Sequence, residues 1–345
     1  MIKLFIIFFL LILQIYFKYP NLKKKLVLLK IYIFKKLHFY TLIEIDTSAS
    51  NSNRGPGNFI KGIMETLPFT WKNCSFISSS FINKHLQPDL YFIPYPKIKE
   101  KQFQKLVKEG IANKLILGPI FVPKKWNNFP NSKVWKEKRF SYILEQTKGI
   151  AVHSTRVRDY LAKKSNTVKN IKKFFIIRPC SNLKPNHIKS FKDREIDILF
   201  FEKYADLNRR QQGLKLLNLL KNTSKTVASI KYGSYNKTMM KEMASNSRFI
   251  IYFSFFDTGA IGLKEIQNYG VITFTHQKEF VLDKESSFYI PELASTNKIE
   301  ISFNKIMNII EKVSKMNIKT ELIARKNQII NNCENSLIDL CEGLF

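Results

Sequence analysis

The stretch Phe249-Ile-Ile-Tyr-Phe-Ser-Phe-Phe-Asp257-Thr-Gly-Ala-Ile-Gly-Leu-Lys-Glu265-Ile-Gln-Asn-Tyr-Gly270-Val-Ile-Thr-Phe274 decides the fold. It opens with an apolar run of strand length. A short turn containing Gly259 follows, a helix is predicted to begin near Gly259 or Ala260, and Gly270 leads into a second apolar strand over 271–274. Strand, helix and strand in so short a span read as one unit of a parallel sheet. Gly259 and Gly262 permit close backbone approach. The free N–H groups and positive end of the helix would point at the carboxyl edge of the sheet.

The same alternation extends outward in both directions. Strands are expected over 41–45, 89–93, 114–117, 149–153 and 174–177, each followed by a helical pattern or a turn signal. Gly55-Pro-Gly57 reads as a tight loop after the first strand, with a helix over 59–67. Residues 178–194, carrying Pro179, Asn182, Pro185 and Asn186, show little periodicity and read as a linker. A second series then restarts: strand 196–200, helix 208–220, strand 226–230, a helix from Asn236, and strand 249–253. From 302 to 344 the pattern is helical, with Ile306, Ile309, Ile310 and Val313 on one face. The expected organisation is α/β: an N-terminal segment over 1–39, a Rossmann-like domain over 40–180, a linker over 181–194, a second Rossmann-like domain over 195–300 and terminal helices over 301–345. A length of 345 residues suits two such domains.

Composition narrows the partners. The formal charge is +30, a value that normally points to nucleic acid. Yet only 10 of the 57 basic residues are Arg, the side chain that reads phosphates and guanine bidentately. An excess of Lys beside abundant Ile, Asn and Phe reads as solvated faces rather than a binding stripe. Nucleic acid is therefore not an expected partner. Cys74, Cys180, Cys333 and Cys341 show neither CxxC pairs nor metal-ligand spacing, and argue for neither zinc nor a disulfide scaffold. Sequons at Asn73, Asn222 and Asn236 are what an Asn-rich chain produces by chance.

Residues 4–17 form an apolar run broken only by Gln14, short for a spanning helix. A second stretch, 26–34, carries Lys30 and is bracketed by lysines. Together they read as an N-terminal hydrophobic membrane anchor followed by a basic surface-lying helix, an amphipathic helix packed on the body being the other option. Positive charge after the run favours a cytosolic body, with a lumenal type II orientation left open.

The quoted stretch also carries a resemblance. Asp257 and Glu265 resemble the Glu-x7-Glu element of GT-B retaining glycosyltransferases of the family 4, group 1 kind, with Asp in place of the first Glu. The resemblance implies two facing Rossmann-like domains. It also implies that Asp257 lies by the transferred sugar and that Glu265 holds the donor ribose. Lys203, Arg209 and Arg210, after the first strand of the second series, are similar to the residues that bind the donor diphosphate. Tyr232-Gly233 looks like the turn beside the donor base, and Gly259, Ala260 and Ile261 like the helix start under the phosphates. Gly55, Gly57 and Asn58 resemble the loop that closes over donor phosphates or acceptor. Residues 152–156, Val-His-Ser-Thr-Arg, resemble the last strand and helix start of the N-domain.

Taken singly, each residue has a plainer reading. Asp257 reads as a helix cap, Glu265 as a solvated side chain and His85 and His153 as structural. Their order along the chain favours the donor cleft. The implied activity is transfer of a sugar, of the hexosyl type, from a nucleotide-diphosphate sugar to a hydroxyl on a glycan, glycolipid or protein. It would proceed with retention and without a metal or other cofactor. The rival readings are a Lys-rich nonenzymatic membrane- or nucleic-acid-binding protein and a sugar-nucleotide epimerase.

Overall fold

The computed structural model describes residues 41–46, 55–78, 87–94, 100–119, 137–164, 168–203, 207–231, 234–254, 260–283, 285–295 and 297–345, with Leu28, Ile31 and Lys35. Two sheets divide the chain. The first has the order β2-β3-β1-β4-β5-β6-β7: Phe69–Trp71, Cys74–Ser78, Thr41–Ile45, Leu90–Ile93, Leu115–Leu117, Gly149–Val152 and Phe174–Ile176. All its pairings are parallel except β2 with β3. The second is wholly parallel, in the order β12-β11-β10-β8-β9: Ser287–Tyr289, Ile272–Thr275, Ser247–Ser254, Ile196–Lys203 and Val227–Lys231.

The helices are α1 (Gly55–Thr66), α2 (Glu100–Lys108), α3 (Glu137–Gln146) and α4 (Thr155–Lys164) in the first half. The second half has α5 (Leu207–Lys221), α6 (Lys237–Asn246), α7 (Ile261–Gln267), α8 (Ile299–Ser314), α9 (Thr320–Ile330) and α10 (Cys333–Leu344). Strand β10 is apolar from Phe249 to Phe253 because the sheet is covered on both faces. Phe249, Ile251 and Phe253 meet Leu216 and Leu220 of α5 and Ile306 and Ile310 of α8. Ile250 and Tyr252 point the other way, toward Met240 of α6 and Leu263 and Ile266 of α7.

Several expectations change. The Gly55-Pro-Gly57 segment is the first turn of α1 rather than a loop before it. Proline is tolerated in a first turn, where its missing N–H has no helical partner to lose. Strands β2 and β3 add an unforeseen edge. β3 is buried along its whole length, so it shows no alternation to read. The last helices do not stand apart: α10 crosses back and puts Cys333, Leu337 and Leu340 into the core around α1. Cys180 and Cys333 form a disulfide across 153 residues, a pairing for which their spacing in the sequence did not argue.

The apolar run 4–17 lies outside the described residues. Leu28 and Ile31 pack with Leu42 and Ile77, and Lys35 pairs with Asp89, so these residues lie against the first half rather than along a separate surface. Among the described residues no helix is long and apolar enough to cross a membrane.

Arg194 closes the linker onto the second sheet. Its side chain is 1% exposed and donates to the carbonyls of Ser247 at 2.6 Å, Tyr269 at 2.6 Å and Lys189 at 3.3 Å. Burial, then the charge of Arg248, pulls its pKa down to about 10, still protonated at neutral pH. Arg194→Met would take this donor from the buried Ser247 and Tyr269 carbonyls, each loss costing about 1–3 kcal/mol, while the Lys189 carbonyl keeps the Thr320 hydroxyl at 2.9 Å. Chemical denaturation is expected to show a loss of several kcal/mol, and a wild-type midpoint would show that the carbonyls find other donors.

Candidate functional site

In the second sheet the chain order reverses between β8 and β10, which lie side by side with Lys203 opposite Ser254 at their carboxyl ends. Open α/β sheets bind ligands outside such a point. Helix α7 follows β10, and its side chains are almost wholly buried. Its entry residue, Ala260, takes a left-handed conformation with φ 45°. Gly270 ends the following turn at φ +72°, and a Cβ there would lie 2.3 Å from the Thr320 carbonyl. Only glycine satisfies both conditions.

Glu265 lies on α7 at 4% exposure. The Asn58 amide of α1 donates to its Oε1 at 3.1 Å, and the Lys237 ammonium is 3.9 Å from the same oxygen. This contact joins residues 207 positions apart and bridges the two halves. Burial raises the Glu265 pKa, with Lys237 and Lys241 pulling against it. Asn58 therefore meets α7 directly, from inside a helix.

Arg209, in the first turn of α5, is 3% exposed and lies over Phe253, its guanidinium carbon 3.9 Å from the ring centroid. Its Nη1 donates to Gln212 at 2.9 Å. Lys203 is half-buried at the end of β8. Arg210, the next residue on α5, is exposed. Ile261 turns its side chain into the apolar cluster around Phe59 and Ile60 of α1, so it seals the two halves together. Gly55 and Gly57 sit in the first turn of α1. Asp257, Gly259, Tyr232 and Gly233 lie outside the described residues. Of the two histidines set aside, His85 also lies outside them. His153 packs edge-on to Phe59 and holds the Ile177 carbonyl at 3.0 Å.

Three further residues reach the same strand ends. Arg156 of α4 donates to Gln277 Oε1 at 2.9 Å, and Gln277 Nε2 donates to Ser254 Oγ at 2.8 Å. His276, between them in sequence and just past β11, is held neutral. Burial first, then Arg209 and Arg156, push its pKa down to about 3. The position of His276 and Gln277 after the apolar strand 271–274 was the available signal, since ligands gather at carboxyl ends of such strands.

Among solved structures, an alpha-glucosyltransferase bound to UDP and a 13-mer DNA matches at TM-score 0.54 and 9% identity, over 88% of this chain and 99% of that one. The sucrose-phosphate synthase of Thermosynechococcus elongatus matches at TM-score 0.51 and 10% identity, over 88% and 97%. The fold is GT-B. TarM of S. aureus matches at TM-score 0.47 and 13% identity over 74% of this chain, which spans about half, 55%, of the TarM chain. A scan against protein-family models gives no match, and neither does a search of curated proteins.

The buried carboxylate has a consequence for stability. Its folded pKa lies above the unfolded value of 4.5. The fold is therefore most favoured below the unfolded value and loses stability as pH rises through the raised one. Glu265→Gln keeps an acceptor for Asn58 and has no charge to desolvate. Thermal melts are expected to place this variant above wild type at pH 7, with the gap closing toward pH 4. A gap independent of pH would mean that the carboxylate is not the cause.

Proposed function

We propose that this chain is a glycosyltransferase, of the hexosyl-transferring type, that moves a sugar from a nucleotide-diphosphate sugar to an acceptor hydroxyl with retention and without a metal. The observation that carries this is Glu265, a buried carboxylate on the helix after the switch-point strand, facing a polar side chain of the opposite half. An ionised carboxylate accepts several strong hydrogen bonds, and two neighbouring ribose hydroxyls are the matching donors. The fold's relatives point the same way, since the alpha-glucosyltransferase is recorded with UDP in two structures of TM-score 0.50 or above.

In this reading the halves hold the donor between them. As the bond to the anomeric carbon breaks, negative charge collects on the leaving diphosphate. Lys203 and Arg209 stabilise it, and preorganised charge of this kind is commonly the largest catalytic term. Phe253 beneath the guanidinium keeps Arg209 aimed. Asp257 orients the sugar or stabilises positive charge at its ring, and closure excludes the water that would hydrolyse the donor. The acceptor belongs to the glycan, glycolipid or protein class.

A thermal-shift screen against UDP-, GDP- and ADP-sugars identifies the base. With the ligand it finds, Glu265→Ala is expected to weaken nucleoside diphosphate binding by about tenfold or more, the loss of hydrogen bonds to a charged acceptor. Undiminished affinity would remove Glu265 from the ribose. Lys203→Ala combined with Arg209→Ala is expected to reduce turnover by about a hundredfold, as loss of oxyanion-type stabilisation does. An unchanged rate would place the diphosphate elsewhere.

A further inference from the structure

Two guanidinium groups from opposite halves of the protein converge on the carboxyl ends of β8, β10 and β11. Arg156 arrives from the start of α4 in the first half and is fixed in place by a relay. Its Nη2 bonds Gln277 at 2.9 Å, and Gln277 bonds Ser254, the last residue of β10, at 2.8 Å. Gln277 is 4% exposed and Ser254 fully buried, so the relay is a rigid seat rather than a surface contact. Arg209 arrives from α5 in the second half, laid on the ring of Phe253, the residue before Ser254. The ring of His276 feels the charge of both. Its Nδ1 is buried and has no hydrogen-bond partner among the described residues. That both guanidiniums depress its basicity shows that the positive potential of each half overlaps on this one ring.

Such an arrangement has a chemical preference. Guanidinium groups are planar forks that match the oxygens of a phosphate two at a time, and a phosphate oxygen is a far stronger acceptor than the neutral Gln277 amide. We propose that Arg156 and Arg209 grip one phosphate-class anion between the two halves, with His276 offering it a hydrogen bond and the Gln277–Ser254 relay positioning Arg156. The anion thereby ties the halves together, because neither half holds both arginines. It comes either from the diphosphate of the donor or from a phosphate on the acceptor. Only the first source rests on the donor-cleft reading.

The test is calorimetric titration of the full chain with inorganic pyrophosphate. Wild type is expected to bind, and Arg156→Gln and Arg209→Gln each to weaken binding by about tenfold, the usual scale for a lost charge-assisted pair. Arg156→Lys keeps the charge without the fork and is expected to fall between. It also carries the test should Arg156→Gln fail to fold. Affinity for the bare nucleoside of the preferred base should not change in any Arg156 variant, an outcome that general damage to the cleft would not give.

Wild-type chain that ignores pyrophosphate overturns the proposal. So do Arg156 variants that bind it as wild type does, and variants that lose nucleoside and pyrophosphate together. Competition between pyrophosphate and the nucleoside diphosphate assigns the anion to the donor. Simultaneous binding keeps the anion site, moves it to the acceptor and takes Arg209 away from the donor diphosphate. Loss of nucleoside affinity in Glu265→Ala with pyrophosphate binding intact separates the ribose assignment from this one.

Discussion

The approach of Asn58 to Glu265 is set some way from either residue, by a seam of buried asparagines where the chain crosses twice between its halves. Asn268, at the end of α7, donates to the carbonyls of Leu183 at 2.8 Å and Ser181 at 3.3 Å on the first crossing. Asn331, at the start of the second crossing, donates to Asn268 at 2.8 Å and to the Lys264 carbonyl at 3.3 Å. Asn182 completes the seam, donating to Gly62 of α1 at 2.8 Å and accepting from the Cys333 amide at 2.9 Å. Helices α1, α7, α9 and α10 are thus fixed to one another through side-chain amides bonded to backbone carbonyls and amides. Buried polar groups of this kind are costly when unpaired, so the seam specifies one arrangement and disfavours its neighbours.

Covalent and ionic ties fall at the same crossings. The Cys180–Cys333 bond joins the first crossing to the second, and Arg178 meets Asp339 through both carboxylate oxygens. The few arginines carry much of this work. Arg194 gathers carbonyls at the end of the linker, Arg248 meets Asp197 at 2.5 Å, and Arg156 and Arg209 both act on His276 at the cleft. The lysines are spent differently: Lys215, Lys305 and Lys326 make exposed pairs, which contribute little to stability. The large net charge is therefore a property of the surface, while the architecture rests on a small set of guanidiniums.

Most of the secondary structure was legible because its signals are local. The strand at 41–45, the helix starting after Asn236 and the unit from β10 through α7 to β11 all fall where pattern and turn chemistry put them. Strand β3 was missed because Cys74-Ser-Phe-Ile-Ser78 is buried on both faces and so shows no period of two. The helix start at Gly55 was missed because Gly-Pro-Gly is a turn by local propensity, and the helix is held by Phe59, Ile60 and Ile63 packing on the sheet. Tertiary packing overrides local preference where it buries enough apolar surface.

The site divides in the same way. By itself the sequence determined the two-sheet plan and the placing of Glu265 in a helix after a buried strand, since these follow from periodicity, glycine positions and spacing. It also put Lys203 and Arg209 at and beyond the carboxyl end of another strand. Tertiary structure alone decided that Arg209 is buried while Arg210 is exposed, that Ile261 seals the interface, and that Asn58, Arg156 and Gln277 belong to the cleft. The physical reason is range. Periodicity reports on neighbours within a few residues, whereas Asn58 meets Glu265 across 207 positions and Arg156 meets Gln277 across 121. Such contacts exist only once two separately folded sheets are held at one angle.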